Sequence, residues 1–216
     1  MADSQRGEES RAPATDYTAV TIPVHVSVRA RETVLCQPEA EELLRRSRTL
    51  ALQPCECRQE SGNCDAPRDV CLTLDGAAEE AVARGTAHVV ELPEALAALE
   101  RSHRAGLVHF AFRKPGEAVN LLCSCCPCCC WFFAKLKGFD YHHAVADSTF
   151  VASFDGEACA GCQTCVGRCP FGAWEAEEPV PGKVALAAGR CFGCGLCAST
   201  CPTGAIALVP RKDQEG

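Results

Sequence analysis

Three observations predict an α+β protein. Helix-like and strand-like segments alternate through the first half of the chain. A cysteine-dense run follows them, and a cysteine spacing then occurs twice near the C-terminus. Together they imply a flexible tail over 1–20, a small N-terminal α+β domain over 21–120, a cysteine-rich connector over 121–148 and a repeat-built C-terminal domain over 149–210.

The elements of the first half follow from local pattern. Val24, Val26 and Val28 alternate with polar neighbours, as a strand requires. Residues 38–50 (PEAEELLRRSRTL) begin acidic and end basic, which suits a helix dipole, with Leu43, Leu44, Ser47 and Leu50 on one face. Residues 77–84 with Gly85 behind them read as a short helix with its C-terminal glycine. Pro93 to Arg104 reads as a second helix, with Leu96 and Leu99 inward and Gly106 at its exit. LVHFAF, residues 107–112, then reads as a strand that packs His109 into the fold, and the histidine-containing stretch after Gly138 as a linker.

Bulk composition narrows the class. Of 216 residues, 47% are hydrophobic and 23% charged, enough for a packed core. A net charge of −7 argues against nucleic acid and suits docking on a basic patch of a partner protein. Nineteen cysteines dominate the rest. Their number is odd, and the first sixteen residues are polar with no apolar leader, so they are expected to be reduced, in the cytoplasm, and to hold metal rather than disulfides. The apolar run at 121–134 has 14 residues, too few for a membrane span.

The eight C-terminal cysteines form the strongest motif. Cys159, Cys162, Cys165 and Cys169 are spaced CxxCxxCxxxC with Pro170 behind them; Cys191, Cys194, Cys197 and Cys201 repeat the pattern 32 residues later, with Pro202 behind. Gly161/Gly193, Gly172/Gly204 and Ala173/Ala205 match as well. Three cysteines at steps of three can converge on three corners of one cubane, and the glycine before the second lets backbone come close. Each fourth cysteine is carried by its proline toward the other repeat, and in this bacterial pattern it ligates the opposite cluster. The expected sets are therefore Cys159, Cys162, Cys165 and Cys201 for one [4Fe-4S] cluster, and Cys191, Cys194, Cys197 and Cys169 for another. Zinc also takes CxxC pairs, but it has no use for three cysteines at steps of three followed by CP, twice over.

This segment, from about Phe150 to Val209, resembles the bacterial dicluster ferredoxin family. The resemblance implies a pseudo-twofold fold, short hairpins such as AIALV, and a helix after each cysteine run. Motif order along the whole chain also resembles ferredoxin-like proteins of anaerobes, through Cys55-Glu-Cys57-Arg58, Gly106-Leu107-Val108-His109 and the run CSCCPCCC from Cys123 to Cys130. That resemblance implies no particular activity.

Eleven cysteines remain. Cys36, isolated beside Leu35, reads as a core residue. Cys55, Cys57, Cys64 and Cys71 fall in a stretch that reads as a loop, and Cys123, Cys125, Cys126, Cys128, Cys129 and Cys130 are six within eight residues. Adjacent side chains diverge, so neighbouring cysteines face different partners. Three uses compete for these ten thiols: a further iron–sulfur cluster with Arg58 offsetting charge, structural zinc, or a reactive dithiol. His142 and His143 beside Tyr141 read as solvated surface, Trp131, Phe132 and Phe133 as an anchor to the core, and Arg45, Arg46 and Arg48 as a solvated face. The chain has no phosphate loop, Rossmann fingerprint or Ser/His/Asp arrangement. The expected function is electron transfer between redox partners. The alternative is a reductase whose N-terminal cysteine site is fed by the C-terminal clusters.

Overall fold

The structure, a computed structural model, describes residues 32–113, 116–134, 145–177, 180 and 182–211. The tail, the strand expected around Val24–Val28 and the histidines His142 and His143 lie outside these residues.

Seven strands form the main sheet: β1 (Glu32–Leu35), β2 (Leu50–Pro54), β3 (Asp69–Leu74), β4 (His88–Val89), β5 (Val108–Arg113), β6 (Val119–Cys125) and β7 (Val145–Ala146). They run in the order β4-β2-β3-β6-β5-β1-β7, and only the short β1–β7 pairing is parallel. Helices α1 (Gln37–Arg46), α2 (Glu56–Ser61), α3 (Gly76–Ala83) and α4 (Leu92–Arg104) accompany them.

Helix α1 is shorter than the 38–50 pattern implies. It stops at Arg46, Ser47 turns to extended backbone (φ −76°, ψ 139°), and Leu50 opens β2 opposite Leu74. The sheet claims Leu50 because a buried strand pairing satisfies its backbone, which a last exposed helical turn would not. Arg45 and Arg46 are solvated and pair with Glu41 and Glu42, four residues back. Two expectations of irregular chain are also corrected. Cys55 and Cys57 sit at the start of α2, and Cys71 lies inside β3. The stretch read as a connector from residue 121 begins in the middle of the sheet, since Leu121 to Cys125 are part of β6, between β3 and β5.

Strand alternation divides the sheet into two faces. Leu50, Leu52, Leu72, Leu74 and Leu122 meet Ala40 and Leu44 of α1 and Ala95, Ala98 and Leu99 of α4 in one buried core. Val34, Val108 and Phe110 point the other way, and so do Cys71, Cys123 and Cys125 by alternation. That second face is covered by the chain after β6 and by the C-terminal unit. Phe133, Phe192, Cys194 and Leu196 share its core with Cys125 and Cys130. Phe132 and Phe133 do anchor this segment, edge-on to Phe110.

The C-terminal unit contains two antiparallel pairs, β9 (Trp174–Ala176) with β10 (Val184–Leu186), and β8 (Phe150–Phe154) with β11 (Ile206–Pro210), so that AIALV pairs with the distant start of the unit and not in a short hairpin. A short helix, Thr164–Arg168, carries the third cysteine of the first run and ends just before the fourth, whereas residues 196–200 of the second form turns. The unit is bolted to the sheet domain by polar contacts. Arg168 donates to the carbonyls of His103 and Arg104 at 2.8 and 2.7 Å, closing the C-terminal end of α4. Ser148 donates to Glu39 at 2.6 Å, and His103 meets Ser199 at 2.8 Å.

Under the sheet, His103 of α4 stacks on His109 of β5 with ring centroids 5.7 Å apart. His109 is 1% exposed, its Nδ1 meets Ser124 Oγ at 3.1 Å, and burial holds its pKa down to about 3 from an ordinary 6.5. Unfolded chain takes up a proton below 6.5 that the folded ring refuses until about 3, so this contribution is complete above pH 6.5 and is lost as pH falls through that window. Stability of the folded protein should therefore drop by up to about 1.4 kcal/mol per pH unit through this group alone. Denaturant midpoints at pH 7 and pH 5 check it, with His109→Gln expected to show the smaller difference.

Candidate metal centres

The eight C-terminal thiols come together in two groups that mix the repeats. Cys165 is flanked by Cys159 and Cys162, and Cys162 faces Cys201. Cys194 and Cys197 are flanked by Cys191 and by Cys169. The first group lies near the surface, with Cys162 exposed and Cys159 and Cys201 half-buried. The second is deeper: Cys194 and Cys197 are buried, and Phe171, Trp174, Phe192 and Leu196 close around it. Burial pushes the free Cys197 thiol up to about 11 and Cys194 further still, so metal, not pH, is what would make them thiolates.

Backbone groups point at these sulfurs. The amides of Gly161, Ala173 and Ala152 reach Cys159, Cys169 and Cys191 at 3.4, 3.4 and 3.5 Å. Gly161 and Gly193 both adopt left-handed backbone, and a Cβ on Gly193 would stand 2.0 Å from the Phe150 carbonyl oxygen. The glycine is thus required by the start of β8 crossing over it. Eight thiols in two sets of four, served by N–H donors, fit all-thiolate iron–sulfur clusters.

Residues 158–206 match the family model described as the 4Fe-4S dicluster domain. The C-terminal unit is a dicluster ferredoxin module. It binds iron–sulfur clusters. No curated protein matches the chain, and among the described residues no helix is long and apolar enough to cross a membrane.

Outside the dicluster module, the ten remaining candidate thiols separate into two sets. Cys64, Cys126, Cys128 and Cys129 bring their Sγ atoms within 4.8 Å of one another. Cys55, Cys57, Cys71, Cys123, Cys125 and Cys130 line a cavity of about 250 Å³ together with Arg58, Phe112, Leu121, Trp131 and Phe132. Within this second set the contacts run Cys55 to Cys71 to Cys123 to Cys125 to Cys130 to Cys57. A hydrogen bond from Cys125 holds Cys130 down to about 6, while burial raises Cys57 to about 11. Cys36 stays apart as the core residue expected, fully buried at the start of α1 and raised by that burial to about 11.

Arg58 stands between the sets. Its side chain is 1% exposed; Nη1 donates to the Ser124 carbonyl at 2.9 Å and to Cys126 Sγ at 3.8 Å. Burial works against its charge, but Cys126, Cys55 and Cys71 outweigh that and raise its pKa. Two more residues, unremarked in the sequence, fasten the same region. Ser61 and Asn63 donate to the carbonyls of Cys129 and Cys128 at 3.2 and 2.9 Å. Their only sequence signal is nearness to Cys64.

Removing the guanidinium leaves buried sulfur anions unmatched. Arg58→Met should destabilise the N-terminal domain by about 3–5 kcal/mol in denaturant unfolding. The same variant should lose metal from the N-terminal thiols and keep the iron of the dicluster module. Unchanged total metal content would refute this role.

Proposed function

We propose that the chain is an electron-transfer protein carrying two [4Fe-4S] clusters and a further iron–sulfur centre in the six-thiol cavity. The first cluster takes Cys159, Cys162, Cys165 and Cys201, and the second takes Cys191, Cys194, Cys197 and Cys169, so that each fourth cysteine crosses to the other repeat and the module is pseudo-twofold. When bound, such clusters supply one-electron redox chemistry at potentials set by thiolate ligation, hydrogen bonds to sulfur and burial.

One observation carries the reading. The six-thiol set and the second C-terminal set share a single apolar core: Cys125, Cys130, Phe133, Phe192 and Cys194 are buried together. Phe133 stacks on Phe171 at 5.2 Å, and Phe171 lies 4.5 Å from Phe192. These rings exclude water between the two centres, which lowers the reorganisation that accompanies a moving charge. The first set, with exposed Cys162, marks the face where a redox partner docks. The net charge of −7 favours a partner with a basic patch.

The cavity favours a second reading. Six thiols exceed the four that one cubane needs, and a space of about 250 Å³ beside Trp131 and Phe132 would admit a small substrate. A reductase that draws electrons from the dicluster module would be built this way.

Crossed ligation is read from paired substitutions. Cys165→Ser/Cys201→Ser should retain about half of the module's iron, because both residues serve one cluster, and Cys194→Ser/Cys201→Ser should lose nearly all of it. Uncrossed ligation reverses the two results. Separately, anaerobically purified protein should hold iron and acid-labile sulfide above the roughly eight of each that two clusters require. Cys55→Ser/Cys57→Ser should remove that excess sulfide and the iron bound with it, and undiminished sulfide in the double variant would sink the further centre.

A further inference from the structure

The ten N-terminal thiols are not one site, and the smaller set has a geometry of its own. Cys64 Sγ lies 3.8 Å from Cys126 Sγ and 3.7 Å from Cys129 Sγ, and Cys128 Sγ lies 3.9 Å from Cys129 Sγ. A metal–sulfur bond of about 2.3 Å places the corners of a tetrahedron ~3.8 Å apart. A cubane demands something different: each thiolate binds its own iron and points away from the core, so its sulfurs stand much farther from one another. We propose that Cys64, Cys126, Cys128 and Cys129 hold one tetrahedral divalent metal ion, zinc or iron(II), without sulfide. This site is separate from the six-thiol cavity and does not rest on what that cavity holds.

Local structure prepares the four sulfurs. Helix α2 ends at Gly62 in left-handed backbone (φ 61°), which turns the chain so that Cys64 comes back toward β6. Past Cys125 the chain leaves the strand, and the Cys130 amide bonds the Cys126 carbonyl at 3.1 Å, folding 126–130 into a tight turn. The turn is fastened to the Cys64 segment by Ser61 and Asn63. Apolar Val70 and Leu107 pack behind Cys126 and Cys129, while Cys128 lies exposed on the outer side. A buried, apolar backing with four thiolates and no free coordination position is how structural tetrathiolate sites are built.

Charge fits as well. Four thiolates around a divalent ion carry two net negative charges, and the buried Arg58 donates to Cys126 from within the domain. Its Nε and Nη2 have no hydrogen-bond partner among the described residues, so its charge needs anions nearby. The ion ties residue 64 to residues 126–129.

The test uses full-length protein purified without oxygen. X-ray absorption at the zinc and iron edges of the unmodified chain should show one ion per chain with four sulfurs at about 2.3 Å and no short metal–metal distance. The zinc edge carrying that signal identifies zinc. Its appearance only at the iron edge, after subtraction of the spectrum of Cys64→Ser/Cys128→Ser, identifies mononuclear iron. That double variant, changed at the two less buried ligands, should lose one metal ion per chain and no acid-labile sulfide. Loss of sulfide together with iron would assign the four thiols to a cluster and overturn the proposal. So would unchanged metal content. Should the double variant fail to fold, Cys128→Ser alone, at the exposed ligand, must still loosen the ion, read as faster transfer to a chromogenic chelator. An unaltered transfer rate counts against the site.

Discussion

A guanidinium buried to 1% exposure must be matched by negative charge, because an uncompensated ion in a protein interior costs several kcal/mol. Among the described residues Arg58 finds one carbonyl and one sulfur as hydrogen-bond partners, and Cys55, Cys71 and Cys126 surround it. Neutral thiols are weak acceptors and would leave the charge stranded. Thiolates would not, and metal is what keeps a crowd of thiols ionised at neutral pH. On the proposed reading, metal-bound thiolates on both sides of Arg58, at the first turn of α2, supply that charge. Cys55 and Cys57 precede it, and Cys64 follows just past the end of the helix, so one short segment brings the cation together with thiols of both sets.

The two halves of the molecule depend on each other in a similar way. Helix α4 ends at Arg104 with carbonyls that lack partners within the helix, and Arg168 of the dicluster module supplies both donors and positive charge to that end. The approach is close enough to dictate sequence on the other side. A Cβ on Gly106 would stand 2.7 Å from Arg168 Nη1, and Gly106 holds φ at +85°. A second tie comes from Ser148, which donates to Glu39 in the first turn of α1. The Phe133–Phe171–Phe192 contact adds apolar packing between the two halves.

How much of this was legible in the sequence depended on distance along the chain. The C-terminal module could be read from spacing because three ligands of each set lie within seven residues, and a repeat exposes the rest. Helix α4 was read correctly for the same local reasons, with Pro93 at its start and Gly106 at its exit. Strand β3 and helix α2 were missed. Their Asn, Asp, Pro and Gly neighbours signal loop, and only pairing with β2 and β6 makes Cys71 a strand residue. Strand β6 was obscured by its own cysteines, which as small apolar side chains fill alternate positions as well as valine would. Leu50 was assigned to α1 by periodicity, and the tertiary pairing with Leu74 overrode it. The division of ten thiols into six and four was beyond local pattern altogether, since it joins residues more than sixty positions apart.

That division rests on a single backbone event. While the chain is in β6, Cys123 and Cys125 project from the same side of the sheet, two residues apart, into the six-thiol cavity. Cys126 is the next residue and faces away, toward Cys64. The turn that follows keeps Cys128 and Cys129 on that side and then returns Cys130 beneath Cys125. One residue inserted before Cys126 would break its register with Cys64, so the dense run CSCCPCCC is an address and not mere abundance. On the proposed reading it has a physical purpose. Four thiols that close the shell of one ion leave it no open position and confine it to holding structure. Six that line a cavity beside the dicluster module leave sulfur to spare where electrons arrive, and it is there that chemistry beyond simple transfer has room to occur.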